Sequence, residues 1–395
     1  MSAPLGLVLS GGGARGAWEA GVLSWVLDDG AARGVQPPIH ALCGTSVGAI
    51  HAAFLAAHLH DPVGASARMG ALWTGLELDR VLRLRIPQAL GLWRVVLGGA
   101  AGAGMFDPRP LMALVGRAVD WPRIRENLDR GLVRALTVTA THVPTGNPVV
   151  FLESAEGIAD PVGFGGKVLV RRARIGSPHV LASASIPLVV PPVAIDGDLY
   201  ADGGLRLNTP MGPAIRLGAR KLLVVALHRK DQRPELGTGR YPGAPFLLGK
   251  VLDAFLLDHV DQDLENLERV NRLLGDVRAA GGDELLARMA SDARARGQAA
   301  HEPIEALAVR PSEDLGEIAS AHLRHLSVLG RGGAVHALLK LVDVGEGSGS
   351  DLASYLLFDA GYTRQLFELG RADAEREGDR LRAFLGEGRC HDDGR

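Results

Sequence analysis

Cysteine is scarce in this sequence, which limits the ways in which the fold can be stabilised. Cys43 and Cys390 are the only two among 395 residues, so a disulfide framework is excluded and a reducing compartment is expected. Cys390, His391 and two nearby aspartates bring metal-binding residue types together, but such a cluster at a chain end is typical of a solvent-exposed tail. We therefore predict no metal site.

An excess of basic residues is also missing, as are long apolar runs. The 43 Lys and Arg residues nearly balance the 45 Asp and Glu residues, so nothing indicates a surface for nucleic acid. No uninterrupted stretch reaches the roughly 20 apolar residues of a membrane span, and no positively charged signal peptide precedes the first apolar run. These absences predict a cytoplasmic protein that meets a membrane only at its surface, and they leave the oligomeric state open.

Glycine, in contrast, is abundant, with 52 residues, and three in a row follow the first apolar run in LVLSGGGARGAW, residues 7–18. The order of apolar run, glycine-rich turn and helix-like stretch predicts a strand–loop–helix unit. Free backbone amides at such a helix N-terminus favour a negatively charged group. The candidates are a dinucleotide pyrophosphate, a nucleotide phosphate and the oxyanion of an acyl-transfer intermediate.

Neither phosphate interpretation has a complete pattern. Gly11, Gly13 and Gly16 fit the dinucleotide fingerprint G-x-G-x-x-G, which also requires an acidic residue at the end of the next strand. That strand is predicted at residues 38–43, and no acidic residue ends it. A P-loop would need Gly-Lys-Ser/Thr after the glycines, and this tripeptide does not follow them.

The segment after the second predicted strand reads GTSVG, from Gly44 to Gly48. A G-x-S-x-G pattern between a strand and a helix indicates a nucleophile elbow, a strained turn that exposes the serine hydroxyl at the top of a sheet. The flanking glycines leave room for the neighbouring backbone. Ser46 is therefore the candidate nucleophile.

A serine nucleophile needs a base, and the sequence offers two arrangements. Asp202, in LYADGGLRLNTP, ends a predicted strand at a tight Gly203–Gly204 turn, where its carboxylate would face a neighbouring strand. A Ser–Asp–His triad would add His228 or His259 after that aspartate. However, only about 40 residues precede Ser46, enough for one βα unit, whereas α/β-hydrolases place several strands ahead of the elbow.

In order along the chain, GGGARG (11–16), GTSVG (44–48) and DGG (202–204) resemble the signature of the patatin-like phospholipase family. Further blocks resemble the family too, at residues 135–153, 182–193, 207–210 and 355–374. The resemblance implies a three-layer α/β sandwich with a largely parallel central sheet flanked by helices. It also implies a Ser–Asp dyad without a histidine, and no cofactor.

The resemblance assigns roles to individual residues. Ser46 would attack an ester carbonyl of a phospholipid, lysophospholipid or other lipid ester, with Asp202 as proton acceptor. The oxyanion would be stabilised by amides of Gly11, Gly12 and Gly13. Arg15 would either add positive charge over the site, where it could bind a lipid phosphate, or brace the loop. Supporting positions of the motifs are Gly16, Gly44, Gly48, Gly203 and Gly204.

Two other functions stay open at this point: a catalytically silent binding module with the same fold, and a nucleotide-dependent oxidoreductase that uses GGGARG. The intact serine and aspartate argue against the first, and the missing acidic residue argues against the second.

For the domain organisation, we predict a catalytic core at residues 1–230 and a mainly helical C-terminal region at 231–385. The C-terminal region is expected to pack on the core and to return a strand near 304–311, and residues 386–395 are expected to be a disordered tail. Predicted strands at 132–153, 188–200 and 221–228 favour a largely parallel sheet flanked by helices. The apolar but interrupted segment 86–106 is either a buried helix and turn or a mobile cap that enters lipid.

Overall fold

The computed structural model describes most of the chain. The described residues are 3–36, 38–76, 81, 83–84, 106–159, 161, 168–187, 189–229, 260–296, 298, 300–328 and 354–386. Residues 86–105 of the apolar segment 86–106, residues 230–259 and the last nine residues lie outside this part of the chain, and so does the choice between a buried helix and a mobile cap for that segment. The candidate triad residue His259 lies outside it as well.

Strands and helices are interspersed along the described residues. The strands are β1 (Leu5–Leu9), β2 (Ile39–Thr45), β3 (Arg83–Leu84), β4 (Phe106–Asp107), β5 (Ala135–His142), β6 (Asn147–Ser154), β7 (Leu169–Arg172), β8 (Val193–Ile195), β9 (Asp198–Asp202), β10 (Lys221–Val225) and β11 (Glu305–Val309). The helices are α1 (Gly16–Ala32), α2 (Val47–His58), α3 (Pro62–Thr74), α4 (Arg109–Ala118), α5 (Trp121–Asp129), α6 (Ser177–Ser183), α7 (Met211–Arg216), α8 (Val260–Ala295), α9 (Leu315–Val328), α10 (Ala360–Arg376) and α11 (Gly378–Leu385).

The main sheet has the order β11-β10-β1-β2-β5-β6-β7. The five strands from β11 to β5 are parallel to one another, whereas β6 and β9 both run antiparallel to β5. Helices cover both faces of the sheet, so its central strands are buried on both sides and consist of nearly continuous apolar residues. In β1, for example, Leu7 and Leu9 belong to one hydrophobic core and Val8 to the other. This architecture confirms the predicted three-layer fold class.

Two strands, β2 and β9, pair one after the other with the same edge of β5. The first half of β5 pairs with β2, up to the pair of Thr45 and Thr139, and its last three residues pair with β9, beginning with Ala140 and Asp202. Because β2 and β9 run in opposite directions along this edge, their C-terminal ends meet. This register brings Ser46, which directly follows β2, next to Asp202, the last residue of β9, although the two are 156 positions apart in the sequence.

The C-terminal residues contribute a strand to the main sheet and a helix that packs on α1. Strand β11 extends the sheet beside β10 in parallel register, and α10 packs closely on α1. The two helices approach through glycines, since a Cβ at Gly21 would overlap the carbonyl oxygen of Phe367 and a Cβ at Gly370 would overlap that of Trp18. Helix α8 is interrupted by non-helical backbone at Gly282.

Candidate active site

Ser46 lies in a sharp turn between β2 and α2. Its backbone has φ 53° and ψ −122°, a conformation that costs free energy for a residue with a side chain. Gly44 and Gly48 make the turn sterically feasible, because a Cβ at Gly44 would overlap the Gly48 carbonyl oxygen and a Cβ at Gly48 would overlap that of Leu9. The structure therefore has the strand–turn–helix geometry that the G-x-S-x-G pattern predicts.

Ser46 and Asp202 are in direct contact. The Ser46 hydroxyl donates a hydrogen bond of 2.7 Å to Oδ2 of Asp202, at the point on β5 where β2 and β9 meet. The other carboxylate oxygen, Oδ1, accepts a hydrogen bond of 2.7 Å from the Gly204 amide. Gly203 permits this turn, because a Cβ there would overlap the Thr139 carbonyl oxygen.

The Asp202 carboxyl group is fully buried. Burial raises its pKa from an ordinary 3.8 to about 7, because desolvation outweighs the hydrogen bonds from Gly204 and Ser46 that stabilise the ionised form. A carboxyl group with a pKa near neutrality is suited to accept a proton and return it at physiological pH.

Ser183 is a site residue that the sequence motifs do not identify. Its hydroxyl accepts a hydrogen bond of 2.8 Å from the Ser46 amide and donates one of 2.5 Å to the Thr139 carbonyl. The hydroxyl therefore ties the elbow to β5. The resemblance of residues 182–193 to a family block is the only signal in the sequence that pointed to this region.

The glycine-rich loop lies beside Ser46 and is held by Asn208. The Gly11 amide donates to the Asn208 carbonyl at 3.2 Å, and the Asn208 side-chain amide donates to the Gly11 carbonyl at 3.3 Å. A Cβ at Gly11 would approach Ser46 Cβ to 3.0 Å. Since the Gly11 amide is engaged with Asn208, the oxyanion proposal rests on Gly12 and Gly13.

Arg15 is 5% exposed and braces the loop through side chains from the far end of the sequence. Its Nε donates a hydrogen bond of 2.7 Å to the Ser354 hydroxyl. Its guanidinium carbon lies 4.2 Å from the centre of the Tyr355 ring, and Nη1 lies 3.4 Å from the Tyr355 hydroxyl. Arg15 is expected either to add positive charge over the site or to brace the loop, and these contacts fit the second role.

A comparison with family models gives a match to "Patatin-like phospholipase" over residues 7–215. This range is more than half of the chain and contains the loop, the elbow and Asp202. The chain belongs to the patatin-like phospholipase family. Membership of this family supports the function of a lipid acyl hydrolase for this chain.

Among solved structures, the chain is similar to VipD from Legionella pneumophila, with 12% sequence identity, 92% of each chain covered and a TM-score of 0.31. No curated protein matches the sequence.

The patatin-like site opens into an apolar cavity. Ser46 and Gly13 lie on its wall together with Val47, Ile50 and Phe54, which follow one face of α2. Helices α3 and α4 and residues 355–358 supply further aliphatic and aromatic side chains. Among the described lining residues, His51 is the one titratable side chain other than tyrosine.

His51 is held in a buried hydrogen-bonded chain rather than directed at Ser46. Trp73 donates its indole N–H to His51 Nε2 at 2.9 Å, so the ring proton is on Nδ1, which lies 2.6 Å from Glu19 Oε1. Burial raises the pKa of Glu19 above its ordinary value. His228, the one triad candidate within the described residues, lies 3.2 Å from Arg310 Nη1, and burial lowers its pKa to about 4.

Within the described ranges, no group of three or more His, Cys, Asp or Glu side chains is arranged to hold a metal ion. No helix in that part of the chain is long and apolar enough to cross a membrane.

Proposed function

We propose that this protein is a serine hydrolase that cleaves carboxylic esters of phospholipids or lysophospholipids. The observation that carries the proposal is the 2.7 Å hydrogen bond from the Ser46 hydroxyl to a buried Asp202, at the wall of an apolar cavity. In the proposed dyad, Ser46 is the nucleophile and Asp202 the general base, and no cofactor takes part.

The reaction runs in two steps. Ser46 Oγ attacks the ester carbonyl while its proton passes to Asp202, and the tetrahedral intermediate then collapses. The departing alcohol takes the proton from Asp202, which leaves an acyl-serine. In the second step Asp202 accepts a proton from water, the resulting nucleophile attacks the acyl-serine, and the fatty acid leaves as the proton returns to Ser46.

The negative charge of each tetrahedral intermediate needs preorganised donors. We assign this role to the backbone amides of Gly12 and Gly13, at the N-terminal end of the loop that leads into α1. Loss of one such donor costs about 3–4 kcal/mol of transition-state stabilisation in comparable hydrolases. Gly13 has a φ of 55°, a left-handed backbone conformation that glycine adopts without steric cost and that turns the loop towards α1.

The cavity supports an acyl chain as the part of the substrate that is recognised. Its lining positions on α2, from Val47 to Phe54, rise about 10 Å along the helix axis, enough for a medium-length chain in extended form. The polar head group would then lie towards the outside. Because such esters reside in bilayers and micelles, the proposal includes transient contact with a lipid surface.

The test is hydrolysis by the purified full chain of a panel of p-nitrophenyl esters, lysophospholipids and phospholipids. We expect turnover and covalent labelling by a fluorophosphonate probe in the wild type and the loss of both in Ser46→Ala. Ser66→Ala is the matched control, since this buried hydroxyl lies 3.3 Å from the Ser24 carbonyl, outside the dyad. Equal activity in the wild type and Ser46→Ala would disprove the proposal.

A further inference from the structure

Residues 354–358, which lie outside the family-matched range, form part of the wall around Ser46. Tyr355, Leu356 and Phe358 line the same cavity as Ser46 and Gly13. The catalytic motifs all lie before residue 205, so this wall comes from a part of the chain with no recognised catalytic motif.

The 354–358 segment is in close contact with the glycine-rich loop. A Cβ at Gly13 would overlap the main-chain carbonyl oxygen of Tyr355, and the positive φ of Gly13 itself favours glycine. The position of Tyr355 therefore limits the positions that Gly13 can occupy.

Arg15 forms a second connection between the loop and this segment. Its Nε bonds to the Ser354 hydroxyl, and its guanidinium stacks over the Tyr355 ring. A guanidinium that is hydrogen-bonded at its edge and stacked on its face is fixed in orientation as well as position. Because Arg15 follows Gly13 by two residues, fixing its side chain also fixes the turn that presents the Gly12 and Gly13 amides.

The segment is itself anchored where it enters α10. The Asp359 carboxylate accepts hydrogen bonds from the Gly361 and Tyr362 amides and caps the helix, and His322 of α9 lies 2.6 Å from the same carboxylate. The Tyr362 hydroxyl donates to the Leu315 carbonyl. The 354–358 segment is thus held at its C-terminal end by contacts with α9 and α10.

We propose that Ser354 and Tyr355 are positioning residues of the acyl-transfer site, which hold the oxyanion loop in its catalytic geometry through Arg15 and Gly13. This inference rests on the proposed function and adds to it a part of the chain outside the family-matched range.

The test compares Ser354→Ala, Tyr355→Leu and Arg15→Lys with the wild type on a soluble short-chain ester. Each variant should lower kcat by about 10- to 100-fold with KM within about twofold, because a displaced oxyanion loop weakens transition-state binding above all. Tyr355→Phe keeps the ring beneath the guanidinium and should retain most of the activity. Adding Ser354→Ala to Arg15→Lys should lower kcat little further, because both substitutions remove the same hydrogen bond between Arg15 and the Ser354 hydroxyl.

Arg371→Ala is the matched control for a general loosening of the C-terminal region. Arg371 joins α10 to α1 through an ion pair of 2.7 Å with Asp28, away from the loop, so the variant should lower thermal stability without lowering kcat. If Ser354→Ala and Tyr355→Leu keep the wild-type kcat while Ser46→Ala is inactive, the positioning role is overturned but the proposed function stands. A rise in KM at unchanged kcat would overturn it too. If the wild type and Ser46→Ala are equally inactive, the proposed function itself fails.

Discussion

Asp202 is subject to two opposing requirements at the scale of a single residue. As the proposed general base it must be ionised, yet its complete burial favours the neutral acid and raises its pKa to about 7. A carboxyl group whose pKa is higher in the folded state than the ordinary 3.8 contributes stability that is fully present below pH 3.8 and is lost as the pH rises through about 7. The ionised form that the proposed mechanism requires is thus the form that destabilises the fold.

This conflict predicts opposite pH trends for activity and stability. For the wild type, kcat/KM on a neutral soluble ester should rise with pH up to about 7 and then level off. The free energy of unfolding should fall over the same interval, with an upper bound of about 4 kcal/mol for this group. Rates can be followed at the isosbestic wavelength of p-nitrophenol and stability by urea unfolding.

Asp202→Asn is the control for this prediction, because an amide keeps the shape of the carboxyl group but does not ionise. The variant should lose several orders of magnitude in kcat, and the wild type should lose stability relative to it as the pH rises from 3.8 to about 7, with no further change above that. His228→Ala should keep most of the activity. A stability difference between Asp202→Asn and the wild type that does not change with pH would contradict the role of burial.

At the scale of elements, the strand–turn–helix units were predictable from the sequence, but their lateral placement was not. The glycine patterns around Ser46 and after Asp202 follow from local sterics, which act over a few residues. The meeting of β2 and β9 along β5 is set by sheet register, which depends on packing between segments far apart in the chain. For the same reason, the role of Ser183 and the partners of Arg15 could not be predicted from the motifs.

Ser183 gives a prediction about this junction. Ser183→Ala would leave the buried Ser46 amide and the Thr139 carbonyl without their shared hydroxyl, at a typical cost of about 1–3 kcal/mol. Because the amide belongs to Ser46, the proposed nucleophile, we expect kcat to fall by about tenfold or more, together with a lower melting temperature.

Ser185→Ala is the matched control, since the Ser185 hydroxyl is equally buried but donates to the Leu181 carbonyl in its own helical turn. It should change stability without a comparable loss of kcat. Equal kcat in the two variants would mean that the Ser183 hydroxyl does not position Ser46 for the proposed attack.

At the scale of the whole molecule, the described C-terminal helices pack on elements of the N-terminal half. Helix α10 contacts α1 through paired glycines, and Asp373 accepts a hydrogen bond of 2.8 Å from the Trp18 indole. Helix α1 begins directly after the glycine-rich loop, and α10 directly follows the 354–358 segment. We therefore propose that residues 354–386 fold together with the predicted core rather than as a separate domain.

This packing predicts that Gly370 is critical for stability although it lies far from Ser46. In Gly370→Ala, the new methyl group would overlap the Trp18 carbonyl oxygen, and forcing α10 away from α1 should cost about 1–3 kcal/mol. The matched control is Gly275→Ala in α8, where a Cβ meets nothing within 4 Å and helix propensity should make the change neutral or stabilising by up to about 1 kcal/mol. Melting temperatures of the two variants, with kcat on a soluble ester, check the prediction. If Gly370→Ala is as stable as Gly275→Ala, the close approach of the two helices does not hold the C-terminal residues against the core.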